Sequence, residues 1–206
     1  GTCYVGLVSG TCFADIGNQV YCVDKDKDKI DKLNSGISPI YEPGLDELIK
    51  KNYDANRLIF TTDIKKAINY SDLIFICVGT PTKKGSLKVD LSFVYKCVKE
   101  ILNYTKKKKI IVTKSTVPVG TGDEIEKIIK KKKKLFSIIS NPEFLREGEA
   151  IRDFRYPDRV VIGSDNKNEF KTMRKLYSPL INKGAKFFTT SRKGAELIKY
   201  ASNAFL

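Results

Sequence analysis

Short apolar runs alternate with stretches of helical periodicity along this chain, and that alternation constrains its fold more than any other feature. The runs are residues 19–23, 58–60, 73–78, 109–114, 135–140, 159–163 and 185–189. Strands that are apolar on both faces and separated by helices form a parallel sheet that is covered on each side. The sequence therefore predicts an α/β fold with a doubly wound, mostly parallel sheet and helices on both faces.

Helices are predicted between these runs, from apolar residues at helical spacing and from glycines at helix ends. They cover residues 4–17, 26–35, 44–52, 63–69, 90–104, 121–132 and 167–181, and a last helix begins near residue 191 and is still running at residue 206. We expect one domain over residues 1–190, followed over residues 191–206 by the start of a longer connecting helix.

The chain begins with a glycine turn, Gly1-Thr2-Cys3-Tyr4-Val5-Gly6, that leads into the first predicted helix. Such a turn presents backbone N–H groups and the positive end of a helix dipole to a pyrophosphate. The dinucleotide-binding pattern is G-x-G-x-x-G, and here Cys3 stands at the middle glycine. Taken alone, the turn fits a purely structural loop as well as a dinucleotide site.

Polar clusters follow three of the predicted strands, where the strands end. Gly79-Thr80-Pro81-Thr82 follows the strand at 73–78, Ser115-Thr116 the strand at 109–114, and Asn141-Pro142-Glu143 the strand at 135–140. Ligands of doubly wound domains bind beyond the carboxyl ends of the strands. The shared position of these clusters favours a Rossmann-type dinucleotide site.

Asp24 comes at the end of the predicted strand at 19–23, at the spacing from the turn that is typical of a ribose-binding carboxylate. A carboxylate there accepts hydrogen bonds from the ribose hydroxyls and repels the extra phosphate of NADP, so NAD is favoured. The alternative is an aspartate of a turn or a helix cap. Lys29 would add a positive contact.

Two pairs of polar residues have a spacing of four. In a helical turn, Glu143 and Glu147 would share a face, and their repulsion would raise one pKa toward the range of a general base. Lys199 and Asn203 share a face of the last helix, where an ammonium and an amide can hold an oxyanion or a ligand hydroxyl. The alternative for both pairs is a solvated surface.

The charge and cysteine content narrow the function classes. A formal net charge of +14 suggests nucleic acid, but the lysine runs lack interleaved aromatics and are expected to be a solvated surface. The five cysteines have no C-x-x-C pair and no histidine partner, so they are expected to be reduced thiols and no metal site is predicted.

No apolar run approaches the length of a membrane span and no leader opens the chain, so we expect a cytoplasmic protein. A dinucleotide turn requires a strand directly before its first glycine, and the last helix has no stop signal. We therefore expect this sequence to be a piece cut at both ends.

Several motifs together resemble the UDP-glucose 6-dehydrogenases of the UDP-glucose/GDP-mannose dehydrogenase family. In chain order they are GTCYVGL (1–7), EPGL (42–45), VGTPT (78–82), KSTVPVG (114–120), NPEFLREG (141–148), YPDRVVIG (156–163) and AELIKYASNAFL (195–206). The resemblance implies oxidation of the C6 alcohol of UDP-glucose to UDP-glucuronate with two NAD. Two successive hydride transfers would pass through a cysteine thioester, which water then hydrolyses.

The resemblance also implies roles for individual residues. The NAD contacts would be Gly1, Val5, Gly6, Asp24, Lys29, Thr80, Thr116 and Glu147. Glu143 would act as the base or orient water in thioester hydrolysis, and Thr116 would help to place that water. Lys199 and Asn203 would bind substrate and stabilise negative charge on oxygen. The remaining substrate contacts would be Phe144, Leu145, Arg146 and Glu147, beside Glu143.

Two departures from the family pattern bear on function. The nucleophilic cysteine of the family lies in a Gly-rich motif beyond residue 206, in a catalytic-cysteine and UDP-binding domain absent here, so this chain alone should not turn over. Cys3 should crowd the pyrophosphate. The alternatives are a dehydrogenase of another sugar nucleotide, a UDP-N-acetyl-hexosamine or GDP-mannose, and a non-catalytic NAD-binding module. The resemblance also implies a homodimer formed through the last helix.

Overall fold

A computed structural model of the chain describes residues 1–83, 85–86 and 88–205, without the side chains of Lys131 and Lys133. The strands are β1 (Val20–Val23), β2 (Leu58–Thr61), β3 (Leu73–Ile76), β4 (Lys109–Thr113), β5 (Phe136–Ser140), β6 (Arg159–Gly163) and β7 (Lys186–Thr190). The α-helices are α1 (Tyr4–Asp15), α2 (Lys27–Asn34), α3 (Leu45–Asp54), α4 (Ile64–Tyr70), α5 (Ser92–Tyr104), α6 (Thr121–Ile129), α7 (Ala150–Arg155), α8 (Lys167–Leu176), α9 (Ser178–Ile181) and α10 (Arg192–Ala204).

The strands form two hydrogen-bonded sheets, β1-β2 and β3-β4-β5-β6-β7. Every strand pair is parallel except β5-β6, which is antiparallel. Side chains alternate along each strand, so the sheet has an apolar surface on each face, and helices cover both faces. Ile111 and Ile138 belong to the core on one face, while Val112 and Ile139 belong to the core on the other. The prediction of a doubly wound, mostly parallel α/β fold is confirmed.

The antiparallel strand β6 overlaps β5 at a single pair, Ser140 with Gly163. Because the two strands run in opposite directions, the residues of β6 before Gly163 lie beyond the carboxyl end of β5. Strand β7 follows β6 in parallel register, and α10 packs on both β5 and β6. Strands β6 and β7 and helix α10 therefore pack together next to the carboxyl ends of β3, β4 and β5.

Helix α1 lies at the centre of the larger core. Its residues from Gly6 to Ala14 are buried, as expected for a helix of small and apolar residues on every side. The ring of Phe13 lies 5.1 Å from that of Phe75, 5.0 Å from Phe154 and 5.5 Å from Tyr177, measured between centroids. These contacts hold the glycine turn, which begins α1, in a fixed place over the sheet.

Two of the predicted helices differ clearly from the structure. The helix predicted over 121–132 ends at Ile129, and a 3-10 segment over Lys130–Leu135 with a kink at Lys132 follows it. The helix predicted over 167–181 is divided into α8 and α9, because Pro179 cannot donate to a preceding carbonyl. Helix α7 was not predicted. No helix in the described part of the chain combines the length and apolar character needed to cross a bilayer.

Candidate functional site

The glycine turn lies against the ends of β1 and β3. Thr2 donates from its backbone N (2.8 Å) and from Oγ1 (2.9 Å) to Oδ2 of Asp24, just after β1. A Cβ on Gly6 would lie 2.0 Å from the carbonyl oxygen of Gly1, and one on Gly1 would lie 2.9 Å from that of Cys77. Only glycine at these positions permits α1 to start so close to the turn, so the turn has the tight form that suits a pyrophosphate.

Asp24 remains ionised to low pH. Burial alone would raise its pKa, but hydrogen bonds from Thr2 and Asp26 and the charge of Lys29 outweigh burial and lower the pKa to about 2. Lys29 Nζ lies 3.6 Å from Oδ2. The cap of α2 is Asp26, which accepts from the backbone N of Lys29. Asp24 therefore secures the turn and is not the helix cap, and it offers a carboxylate of the kind a ribose diol requires.

Cys3 is the N-cap of α1, and its side chain makes no capping hydrogen bond. Its Sγ donates to the carbonyl oxygen of Cys77, 2.9 Å away, at the end of β3. Burial raises the pKa of Cys77 to about 11. All five cysteines are free thiols, as predicted.

The loops after β3 and β4 are joined by hydrogen bonds. Thr80 Oγ1 donates to the carbonyl oxygen of Thr116 (2.9 Å), and Ser115 Oγ donates to that of Val78 (2.7 Å). In return, the backbone N of Val78 donates to Ser115 Oγ (2.9 Å). The structure thus brings together the two threonines that the sequence assigned to the cofactor.

Glu143 and Lys199 form a shielded ion pair. Lys199 Nζ lies 3.0 Å from Glu143 Oε1, and the side chains are 11% and 10% exposed. The backbone N of Leu145 donates to the second oxygen, Oε2, at 2.7 Å. Next to the carboxyl ends of the strands, such a pair can offer a cation and a carboxylate to a ligand oxygen.

The expected helical turn over Glu143 to Glu147 is wrong. Glu143 lies in an irregular segment, and Glu147 lies in an exposed turn before α7. Pro142 removes one backbone donor, and the carboxylate of Glu143 accepts locally from Leu145, so the backbone has an alternative to a helix. The charge that faces Glu143 is the ammonium of Lys199 and not a second carboxylate.

The other predicted substrate contacts are spread over the same edge. The ring of Phe144 has the Arg159 guanidinium 4.6 Å and Lys199 Nζ 5.5 Å from its centroid. Leu145 is partly buried, whereas Arg146 is exposed and pairs with Asp153 at 2.7 Å. Asn203 is exposed near the end of α10. With Glu147, the predicted contacts therefore include one buried cluster and three solvated side chains.

Glu42 joins the turn region to the segment before α7, and the sequence analysis missed this. Its carboxylate accepts from Tyr4 Oη, from the backbone N of Gly148 (2.8 Å) and from that of Ala150 (2.8 Å). Burial and the bond to Glu42 raise the pKa of Tyr4. Glu42 is 5% exposed. A charged residue within the EPGL block was the only sequence signal.

A second buried network lies behind the ion pair. Tyr177 Oη donates to Asn141 Oδ1 (2.6 Å), Asn141 Nδ2 donates to the carbonyl oxygen of Val161 (3.0 Å), and Lys114 Nζ lies 3.5 Å from Asn141 Oδ1. Burial lowers the pKa of Lys114. Three segments that are far apart in sequence are held at the site by one amide, and a single sequence could not show this.

Helix α10 is anchored to α6 by two charged residues. Glu196 accepts from the backbone N of Gly120 (2.6 Å) and of Gly122 (2.8 Å), and burial raises its pKa. Arg192 is 8% exposed at its side chain and contacts the only group of acidic residues in the described part of the chain that has metal-binding spacing, namely Asp123, Glu126 and Asp165. The guanidinium provides their positive charge, so we assign no metal there.

A doubly wound sheet, a glycine turn at the start of a buried helix and an ionised aspartate after the next strand define a dinucleotide-binding domain of the Rossmann type. The comparisons with known proteins agree. Residues 1–181 match the NAD-binding domain of the UDP-glucose/GDP-mannose dehydrogenase family. The chain belongs to that family, and its cofactor is NAD.

Similar proteins extend well beyond this chain. It is 52% identical to a UDP-glucose 6-dehydrogenase of Rhizobium meliloti and 49% identical to one of Bacillus subtilis, in both cases over 100% of this chain, and covers 48% and 44% of those proteins. Solved structures include a GDP-mannose dehydrogenase of Pseudomonas aeruginosa (36% identity, TM-score 0.93) and a UDP-glucose dehydrogenase of Pyrobaculum islandicum (34%, 0.93). All of this chain aligns with each structure, and it covers 48% of each. The chain spans about half the length of these relatives.

Proposed function

We propose that this chain is the NAD-binding portion of an enzyme that oxidises UDP-glucose to UDP-glucuronate. The observation that carries the proposal is the ion pair of Lys199 and Glu143, which is shielded from solvent beside the loops that hold Thr80 and Thr116. Relatives with the name UDP-glucose 6-dehydrogenase, 42% to 52% identical over the whole chain, support the choice of substrate.

NAD, when bound, accepts the hydride from C6 of the sugar. In this proposal Gly1 and Gly6 let the backbone approach the pyrophosphate, and Asp24 accepts from the ribose hydroxyls with Lys29 beside it. The remaining cofactor contacts are Val5, Thr80, Thr116 and Glu147. The tight turn and the low pKa of Asp24 support this assignment, because both match what the dinucleotide presents.

The ion pair has two tasks in the proposal. The Lys199 ammonium, with the amide of Asn203, binds the sugar and stabilises negative charge that develops on its oxygen, which is effective because the ammonium is shielded from water. The Glu143 carboxylate acts as base, or orients the water that hydrolyses the thioester, and Thr116 helps to place that water. Phe144, Leu145, Arg146 and Glu147 complete the sugar site. The cysteine nucleophile would come from the part of the relatives that this chain does not span.

Another sugar nucleotide is the alternative substrate, because a GDP-mannose dehydrogenase has a TM-score of 0.93 to this chain, equal to that of a UDP-glucose dehydrogenase. A non-catalytic NAD-binding module remains a further alternative, motivated by Cys3. We also propose a homodimer through α10 and a cytoplasmic location. Exposed Leu197 and Tyr200 on one face of α10 support the dimer.

The test is to express the protein from its complete gene and to follow NADH formation with UDP-glucose, a UDP-N-acetyl-hexosamine and GDP-mannose side by side. We expect UDP-glucose to have the highest kcat/KM and to yield two NADH per sugar. A higher kcat/KM for another sugar nucleotide would show that this sugar nucleotide, and not UDP-glucose, is the substrate. If the protein binds NAD but turns over none of the three sugar nucleotides, the non-catalytic NAD-binding module would be the correct interpretation.

A further inference from the structure

Arg159, the first residue of β6, lies at the centre of a set of contacts beside the ion pair. Its guanidinium lies 4.6 Å from the ring centroid of Phe144, and one of its nitrogens donates to Ser202 Oγ on α10 at 3.1 Å. Lys199 Nζ lies 5.5 Å from the same ring and 3.0 Å from Glu143. One aromatic ring thus contacts two cations that come from different elements.

We propose that Arg159 is a positioning residue for the sugar nucleotide, acting through Phe144 on Lys199 and Glu143; the proposal rests on the function proposed above. The guanidinium is planar and stacks on an aromatic face while its remaining N–H groups stay free to donate. It therefore fixes the plane of Phe144. Because Glu143 and Leu145 flank Phe144 in the chain, a fixed ring also fixes the carboxylate that faces Lys199.

The offset of β6 makes this arrangement possible. Arg159 precedes Gly163, so it lies beyond the carboxyl end of β5, level with the segment that carries Phe144. Its bond to Ser202 links the same guanidinium to α10, one turn beyond Lys199. Arg159 thereby holds the segment of Glu143 and the helix of Lys199 together, although among the described residues it forms no ion pair with Glu143.

The test uses Arg159→Gln and Arg159→Lys in the protein expressed from the complete gene. The glutamine variant should lower kcat/KM for UDP-glucose by about 10-fold, a size between those expected for an exposed and for a desolvated cation–π contact, since Arg159 is partly buried. The KM for NAD should stay unchanged, because the glycine turn lies elsewhere. The lysine variant should recover part of the loss. Arg174→Gln is the matched control, since Arg174 stacks on Phe187 at 4.4 Å on α8, away from the ion pair.

A double-mutant cycle with Phe144→Leu identifies the route. If Arg159 acts through the ring, Arg159→Gln has little further effect on kcat/KM in the Phe144→Leu background. Independent, multiplying losses would overturn the proposal, as would an equal loss in Arg174→Gln or a matching loss of NAD affinity. Ser202→Ala should cost less than Arg159→Gln, and a larger loss would make Arg159 merely an anchor of α10. If wild-type protein turns over none of the sugar nucleotides, the proposed function fails and the role of Arg159 fails with it. If wild-type protein is active and Arg159→Gln is equally active, the role of Arg159 alone is overturned.

Discussion

Asp24 has two roles in the turn. Its carboxylate takes two hydrogen bonds from Thr2, and it is the group expected to face the ribose. A residue that shapes a site and also binds its ligand cannot be replaced without affecting both. The position of Asp24 was predictable from spacing, but its bonds to Thr2 were not, because they depend on how β1 and the turn approach each other.

We predict that Asp24→Asn lowers stability by about 1 kcal/mol, since a charged acceptor is lost, and weakens NAD binding. The folded pKa of Asp24 is depressed to about 2 from an ordinary 3.8, so its contribution is present above pH 3.8 and is lost as the pH falls toward 2. Urea unfolding from pH 6 to 2 should show the two proteins converging at the acid end. Asp31→Asn, an exposed change on α2, is the control, and a constant difference across the range would contradict the prediction.

Cys3→Gly should tighten NAD binding several-fold, because it removes a Cβ from the position where the backbone approaches the pyrophosphate. The variant should lose some stability, because it lacks the hydrogen bond from Sγ to the Cys77 carbonyl and because glycine adds conformational freedom to the unfolded chain. Calorimetry on the complete protein measures the affinity. Cys3→Ser keeps the Cβ and should not tighten binding. Equal or weaker binding by the glycine variant would show that the turn accommodates the side chain.

At the level of elements, Glu196 connects α10 to the start of α6. Glu196→Ala would leave one buried N–H group, of Gly122, and one partly buried N–H group, of Gly120, without an acceptor and should cost about 2–4 kcal/mol. Thermal unfolding gives the total, and hydrogen exchange at Gly122 should rise first. Glu124→Gln, in the same first turn of α6, is exposed and keeps an oxygen that can accept from Tyr95, so it should change little. Unchanged exchange at Gly122 would mean that Glu196 does not support α6.

Regular elements were predictable from the sequence wherever local periodicity decided them. All seven strands lie within a few residues of their predicted positions, because each is an isolated apolar run. The segment from Glu143 to Glu147 was not predictable, since its conformation depends on Lys199 and Glu42, which are distant in sequence. The proximity of the loops at Thr80 and Thr116 was anticipated from their shared position at the carboxyl ends of strands, whereas the partners of Lys114, Asn141 and Glu196 required the fold.

At the scale of the molecule, α10 presents apolar side chains to solvent. Leu197 is 57% exposed and Tyr200 37% exposed. In the complete protein, Leu197→Glu should convert the proposed dimer to a monomer, because a carboxylate on each copy would be buried at the contact. Light scattering coupled to gel filtration measures the mass. Tyr41→Glu, 88% exposed elsewhere, is the control, and a dimer that survives Leu197→Glu would place the interface on another face.

The carboxylate of Glu42 holds Tyr4, in the first turn of α1, and Gly148, directly after the proposed sugar segment. The proposed cofactor half and the proposed sugar half of the site therefore share one buried carboxyl group. Two ligands that act on a common element are thermodynamically linked, and the linkage is reciprocal. If bound NAD raises the affinity for the sugar nucleotide by some factor through Glu42, the bound sugar nucleotide raises the affinity for NAD by the same factor.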